Sequence, residues 1–202
     1  RAVVETELVV LVRPRPGDFV YSAAEADAVR FDLDVAREAD VDAVAVGALR
    51  PDGSLDLDRI GAWIEHARPL DVVVHRAFDF VADPTAALEA IAGLGVRRVL
   101  TSGLADSAAD GVARLRELVV CAGDRVAIVA AGGVRSDVVE DLVRRTGVLQ
   151  VHASARTQRS VEHDVAIGAR LGSRGSGPSA LAFDPAEVAA LVSAASRASG
   201  TA

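Results

Sequence analysis

The sequence predicts an α/β protein built on a parallel sheet, and three observations carry that prediction. Short valine-rich runs recur along the chain, each nearly continuous in hydrophobicity, as strands buried on both faces require. Longer amphipathic stretches with helix punctuation separate them. Strand and helix alternate without a break, which is the pattern of a sheet covered by helices.

The strands are read at Leu8–Arg13, Asp42–Gly47, Val72–Arg76, Arg97–Thr101, Val126–Ala131 and Val148–His152. Between the first two, Ser22 with Glu25 three positions on forms a capping box ahead of a helix over Ala23–Glu38. Asp83-Pro84 places a cap before proline at the first helical position, and Gly93 and Gly95 close that helix. A further helix runs from near Ser107 through Val120, and Ser136 with Asp137 favours another start. Asp184-Pro185 opens the last helix, through about Ala195, and residues 172–179 read as a flexible loop. Trp63 and Cys121 fall at core positions, and His66 and His163 among solvated charges. Periodicity leaves open whether six such units form a doubly wound sheet or part of a barrel. No G-x-G-x-x-G, P-loop or H-E-x-x-H decides it.

Composition excludes several classes of function. The chain has 202 residues, half of them apolar, with a formal charge of −7. Its isoelectric point of about 5.1 argues against phosphate neutralisation on nucleic acid. No run approaches a membrane-spanning length. All 22 basic residues other than histidine are arginine, so Schiff-base and pyridoxal-phosphate chemistry lacks its amine. The single cysteine, Cys121, makes no internal disulfide, in keeping with a cytoplasmic setting. Methionine is absent, so the sequence reads as a piece of a longer chain.

In either α/β architecture the working groups sit at the carboxyl ends of strands. Those ends carry Arg13, Arg15 and Asp18; His75, Arg76 and Asp79; Thr101, Ser102 and Gly103; Gly132 and Gly133; and His152 with Ser154. Arg13, Arg15 and Arg76 suit an anionic ligand; in the alternative, Arg13 or Arg76 pairs with Asp18 or Asp79 to hold loops. Thr101, Ser102, Gly103 and Ser154 offer hydroxyls and amides, and Gly132-Gly133 lets backbone amides approach a phosphate. His75 is a candidate acid/base with Asp79 orienting it and His152 as the alternative base. His75 and His152 are also the candidate metal ligands.

As a set, RPRPGDFVYS, VAVGALRPDGSLD, HRAFD, RVLTSG, AAGGVR and VLQVHASA resemble the CutC copper homeostasis family in order and spacing. The likeness runs from about Leu8 to Ala155. It implies a TIM (β/α)8 barrel over residues 1–202, lacking its first two strands in this chain, a cytoplasmic location and a homodimer or higher oligomer. It also implies copper as the bound ion and a role in copper handling. Copper(I) prefers thiolate and thioether ligands, which the matched motifs lack; His75 and His152 suit copper(II) instead. The residues themselves point to a second reading, an enzyme acting on a small anionic metabolite as a lyase, isomerase or hydrolase. In a third reading the protein acts through its oligomer.

Overall fold

The computed structural model describes residues 6–160, 179–198 and 200. Six strands form one wholly parallel sheet: β1 (Val9–Leu11), β2 (Ala43–Val46), β3 (Asp71–Val74), β4 (Arg98–Thr101), β5 (Ala127–Ala131) and β6 (Gln150–His152). Their spatial order is their sequence order, with each strand bonded to the next. A doubly wound sheet reverses direction at a switch point; an unreversed order winds one way, as in a barrel. The sheet is a curled portion of a TIM-type barrel.

Helices α1 (Ala23–Glu38), α2 (Leu57–Ala67), α3 (Pro84–Gly93), α4 (Val112–Ala122) and α5 (Val139–Thr146) fill the crossovers. Strand parity divides the apolar residues into two layers, because successive side chains point to opposite faces. Val44, Val46, Val72, Val74, Val99 and Ile128 face the helices. There they meet Leu33, Ile60, Trp63, Leu88, Ile91, Leu115, Leu118 and Leu142. Ala43, Ala45 and Val73, with Leu100, form a smaller cluster on the other face, inside the curl. Cys121 packs partly buried against the main core, as its position predicts.

Local chemistry sets several boundaries. The Ser22–Glu25 capping box is present, with Ser22 N–H donating to Glu25 and Glu25 N–H donating to the Ser22 hydroxyl. Asp83 caps α3 by accepting from the amides of Thr85 and Ala86. Two starts fall later than the sequence predicts. α4 begins at Val112 because the backbone at Gly111 crosses Ser102 and Gly103 in close contact. A Cβ at Gly111 would stand 1.8 Å from the Ser102 carbonyl. α5 begins at Val139 because the Ser136 amide and hydroxyl both bond the carboxylate of Glu187 on the last helix, α6 (Pro185–Ala198).

Strands β7 (Arg156–Ser160) and β8 (Ser179–Phe183) form an antiparallel pair that the sequence reading missed. The predicted loop at 172–179 lies outside the described residues up to 178, and Ser179 opens β8. His163 also lies outside them.

The ends of β3 and β4 are joined by one buried carboxylate. Asp79 sits in a short 3-10 helix, η1 (Arg76–Phe80), with its side chain 3% exposed. It accepts from Arg76 Nε at 2.6 Å, Thr101 Oγ1 at 2.5 Å, Ser102 N–H at 2.9 Å and Leu104 N–H at 3.3 Å. Removing a buried charge partner strands the donors it satisfied. Asp79→Ala is therefore expected to lower unfolding free energy by about 3 kcal/mol, measured by chemical denaturation. A loss below about 1 kcal/mol would contradict this role.

Candidate functional site

Inward-facing side chains at the carboxyl end of the sheet open into a concavity of about 430 Å³. Its floor and walls are apolar: Leu11, Ala45, Val73, Leu100 and Val129. Among the described residues its polar lining consists of Arg13, His75, Arg76, Arg98, Gln150 and His152, with no carboxylate. Arg98 stands at the opposite, amino end of the strands, where Glu7 takes its guanidinium in a two-pronged pair. That pairing holds the Glu7 carboxyl below its ordinary range and raises Arg98. The uncommitted cationic lining is thereby concentrated at the mouth.

His75 follows β3 directly and caps η1. Its side chain fits against β2 because the parallel register brings Gly47 beside it. Val46 pairs with Val74, and the His75 amide donates to the Val46 carbonyl at 2.9 Å. A Cβ at Gly47 would fall 2.6 Å from the imidazole Cε1 and 2.7 Å from Nδ1. Only glycine gives the ring this place. Phe19, in the loop after β1, covers the other side with ring centroids 5.1 Å apart.

The result is an imidazole only 4% exposed. Burial pushes its pKa down to about 4, a peptide-backbone hydrogen bond opposes, and the charge of Arg13 adds a smaller push in the same direction. At neutral pH it is uncharged. Nδ1 accepts from the Ala77 N–H at 3.2 Å, which places the ring proton on Nε2. Nε2 is buried and, among the described residues, has no partner. His152 ends β6 at the rim, its pKa also lowered by burial, though less of its surface is covered.

The arginines divide. Arg13 Nη2 donates to the Gly17 carbonyl at 2.6 Å and its guanidinium lies 4.5 Å over the Phe19 ring. Arg13 Nε is buried without a partner, and among the described residues no carboxylate pairs with it. Arg76 gives Nε to Asp79 and Nη2 to the Ser102 hydroxyl at 3.0 Å, and its remaining edge lines the cavity. Gly132 makes room for it: a Cβ there would stand 2.9 Å from Arg76 Nη1.

Several sequence expectations are corrected here. Arg15 is outside the mouth: its donors go to Glu25 at 2.5 Å, Asp18 at 2.9 Å and the carbonyls of Asp18 and Val20. It is a loop clamp, held by a glutamate and an aspartate that the sequence reading did not assign to it. Asp79 does not orient His75, because its acceptor positions are filled by Arg76 and the β4 loop. Thr101 and Ser102 are wholly buried, and their donors are committed to Asp79 and the Ala105 carbonyl. The Gly103 amide donates to Thr101 Oγ1. These three residues build the wall and offer no hydroxyl or amide of this set to an anion. What lies over Gly132 is the Arg76 side chain. Gly133 turns the chain with a positive φ beside Ser107. Ser154 is exposed beyond β6 and outside the lining.

Sequence reading missed Gly47, Phe19 and Gln150. Gly47 was within reach, since the glycine closing VAVG aligns with the histidine closing VVVH once adjacent parallel strands are registered. As to a metal, among the described residues no group of three or more histidine, cysteine, aspartate or glutamate side chains is placed to hold one. With Nδ1 accepting from the Ala77 N–H, His75 Nε2 carries a hydrogen and has no lone pair for a metal.

Fold and lining together define a TIM-barrel-class domain with a positively charged strand-end mouth. Comparison with known proteins makes the assignment specific. The CutC family model matches residues 1–157, and the chain belongs to that family. A CutC family protein of Caulobacter vibrioides is 46% identical over 144 residues, covering 71% of this chain and 59% of the relative. The mouse protein named copper homeostasis protein cutC homolog is 36% identical over 173 residues, covering 83% of this chain and 64% of its own. The chain thus spans about three-fifths of the length of these relatives. The crystal structure of a CutC protein from Streptococcus agalactiae aligns with a TM-score of 0.70 at 29% identity, covering 72% of this chain and 71% of that one. An inosine 5′-monophosphate dehydrogenase from Legionella pneumophila, 13% identical with a TM-score of 0.60, covers 98% of this chain and 68% of that one. That second likeness is one of fold alone. No helix among the described residues is long and apolar enough to cross a membrane.

Two outcomes test this geometry. Gly47→Ala is expected to destabilise the fold by about 1–3 kcal/mol, since the new methyl meets a packed ring with nowhere to go. Denaturant unfolding should register it, and a neutral result would contradict the fit. Separately, His75 remains unprotonated in the folded state down to about pH 4, whereas in the unfolded chain it takes a proton near 6.5. Its contribution is therefore full above about pH 6.5 and is lost as pH falls toward 4, on the order of 3 kcal/mol. His75→Gln should flatten the stability profile between pH 6.5 and 4.5, above the range where the paired carboxylates titrate.

Proposed function

We propose that this chain supplies the ligand-binding mouth of a cytoplasmic, homo-oligomeric CutC-family barrel whose ligand is a small organic oxyanion. Its part in copper homeostasis, the role printed in the mouse relative's name, runs through that ligand and not through a copper ion held by these side chains. The observation that carries the reading is the lining itself: Arg13, His75, Arg76 and His152 around a concavity of about 430 Å³, with no carboxylate among the described lining residues. A site for a metal cation gathers acceptors and negative charge. This one gathers donors and positive charge, which suits a carboxylate or phosphate. The apolar floor of Leu11, Val73, Leu100 and Val129 favours a ligand with a short carbon skeleton below its charged head.

The copper ligands suggested by sequence do not fit well. His75 offers its lone pair to Ala77, and His152 alone makes a weak site. Cys121 lies on α4, against the helix-side core.

Because the mouth lies in a TIM-type barrel, an enzymatic step on the anion is a second reading, favoured by the neutral imidazole buried beside two guanidinium groups. Such a step would be proton transfer or polarisation at an oxygen, with Arg13 and Arg76 holding the charge.

Titration of the full-length protein with inorganic phosphate and with acetate tests the proposal. Calorimetry should give saturable binding that weakens about tenfold in Arg13→Gln, the loss of one charge-assisted contact. Copper(I) presented against a competing chelator should bind no less tightly after His75→Gln. Absence of anion binding, or copper affinity that collapses in His75→Gln, would overturn it.

A further inference from the structure

The fixed tautomer of His75 has a consequence for what the mouth can recognise. The Ala77 N–H is a donor that only an unprotonated Nδ1 can accept, and the two are 3.2 Å apart. The ring is closely fitted: a Cβ at Gly47 would collide with its Nδ1–Cε1 edge, and Phe19 covers a face. Nε2 consequently bears hydrogen, is 96% enclosed with the rest of the residue, and finds no acceptor among the described residues. A buried donor left unpaired costs free energy that a suitable acceptor recovers on binding. The Arg13 guanidinium, which also meets the buried Tyr21 hydroxyl, is the charge felt by the imidazole. Both belong to residues lining one concavity.

Resting on the oxyanion reading above, we propose that His75 is a neutral hydrogen-bond donor: its Nε2–H holds an acceptor oxygen of the ligand, a carboxylate, phosphate or carbonyl, beside Arg13. In that role it is neither a general base nor a metal ligand. Either alternative needs a lone pair on Nε2, which would move the proton to Nδ1 and set two donors, that proton and the Ala77 N–H, against each other. The charge of the ligand is carried by Arg13 and Arg76, whereas His75 selects for an oxygen that can accept at its particular place. An ammonium or a hydrated metal cation, which presents only donors there, is rejected. Gly47 is then a positioning residue for recognition: it holds the imidazole edge so that Nδ1 stays with Ala77.

The test reads the tautomer and the binding separately in the full-length protein. Imidazole ¹⁵N resonances at pH 7 should show an unprotonated Nδ1 and a protonated Nε2 for His75, with Nε2 shifting when inorganic phosphate is added. Phosphate affinity should weaken about tenfold in His75→Phe and stay within about twofold in His75→Gln, whose amide N–H reaches the position of Nε2. Arg13→Gln should weaken binding and leave the His75 tautomer unchanged. A proton on Nδ1, or phosphate affinity unaltered in His75→Phe, overturns the donor role while leaving the oxyanion mouth standing. Failure of wild-type protein to bind either phosphate or acetate overturns the mouth, and the donor role with it. The spectrum needs only wild-type protein, so a His75→Phe chain that does not fold leaves the donor role open to refutation.

Discussion

The Arg76 side of the mouth depends on one buried carboxylate. Asp79 draws the η1 turn after β3 onto the loop after β4, and in doing so holds Arg76 across Gly132. Without that anion the Arg76 guanidinium would have no fixed place, and the amides of Ser102 and Leu104 would be buried donors lacking an acceptor. The arrangement also settles the balance of charge. Among the described residues the carboxylate paired with Arg76 is Asp79, which is also spent on the β4 loop. Arg76 thus both closes a structural ion pair and lines the concavity.

The second constraint is volume inside the curl. β2 presents Ala43, Ala45 and then Gly47 to the interior, and β3 presents Val73 and His75 beside them. Small residues on one strand admit larger ones on the next, as close packing requires. The series ends on glycine where the neighbour is an imidazole. That fit leaves the histidine dry and neutral, and the Ala77 amide fixes which nitrogen carries the proton. Burial, tautomer and donor character follow from one register and one absent side chain.

Much of the fold was legible in the sequence because its causes are local. Strands buried on both faces leave valine runs wherever they occur, and Ser22-x-x-Glu25 and Asp83-Pro84 cap helices through contacts within three residues. The unforeseen features come from distant partners. Ser136 looks like a cap until Glu187, on the final helix, takes its donors. Thr101, Ser102 and Gly103 look like a ligand loop until Asp79, more than 20 residues earlier, claims two of them. Arg15 and Arg13 are two apart and chemically alike, yet only Arg15 reaches Glu25 and Asp18. The β7 strand, RTQRS, carries no hydrophobic alternation for a reader to find. Strand ends thus pointed to the candidate site, but which of their donors are taken up within the fold depended on tertiary pairing.

On the proposed reading, this mouth receives an oxyanion and not a copper ion. A crystal structure of the full-length protein grown with selenate and copper(II) together would test it most directly, since selenium and copper are told apart by their anomalous scattering. The account predicts a selenium peak within hydrogen-bonding distance of Arg13, Arg76 and His75 Nε2, with no copper on either mouth histidine. A copper peak bonded to His75 Nε2, with the ring turned away from the Ala77 amide, would contradict it.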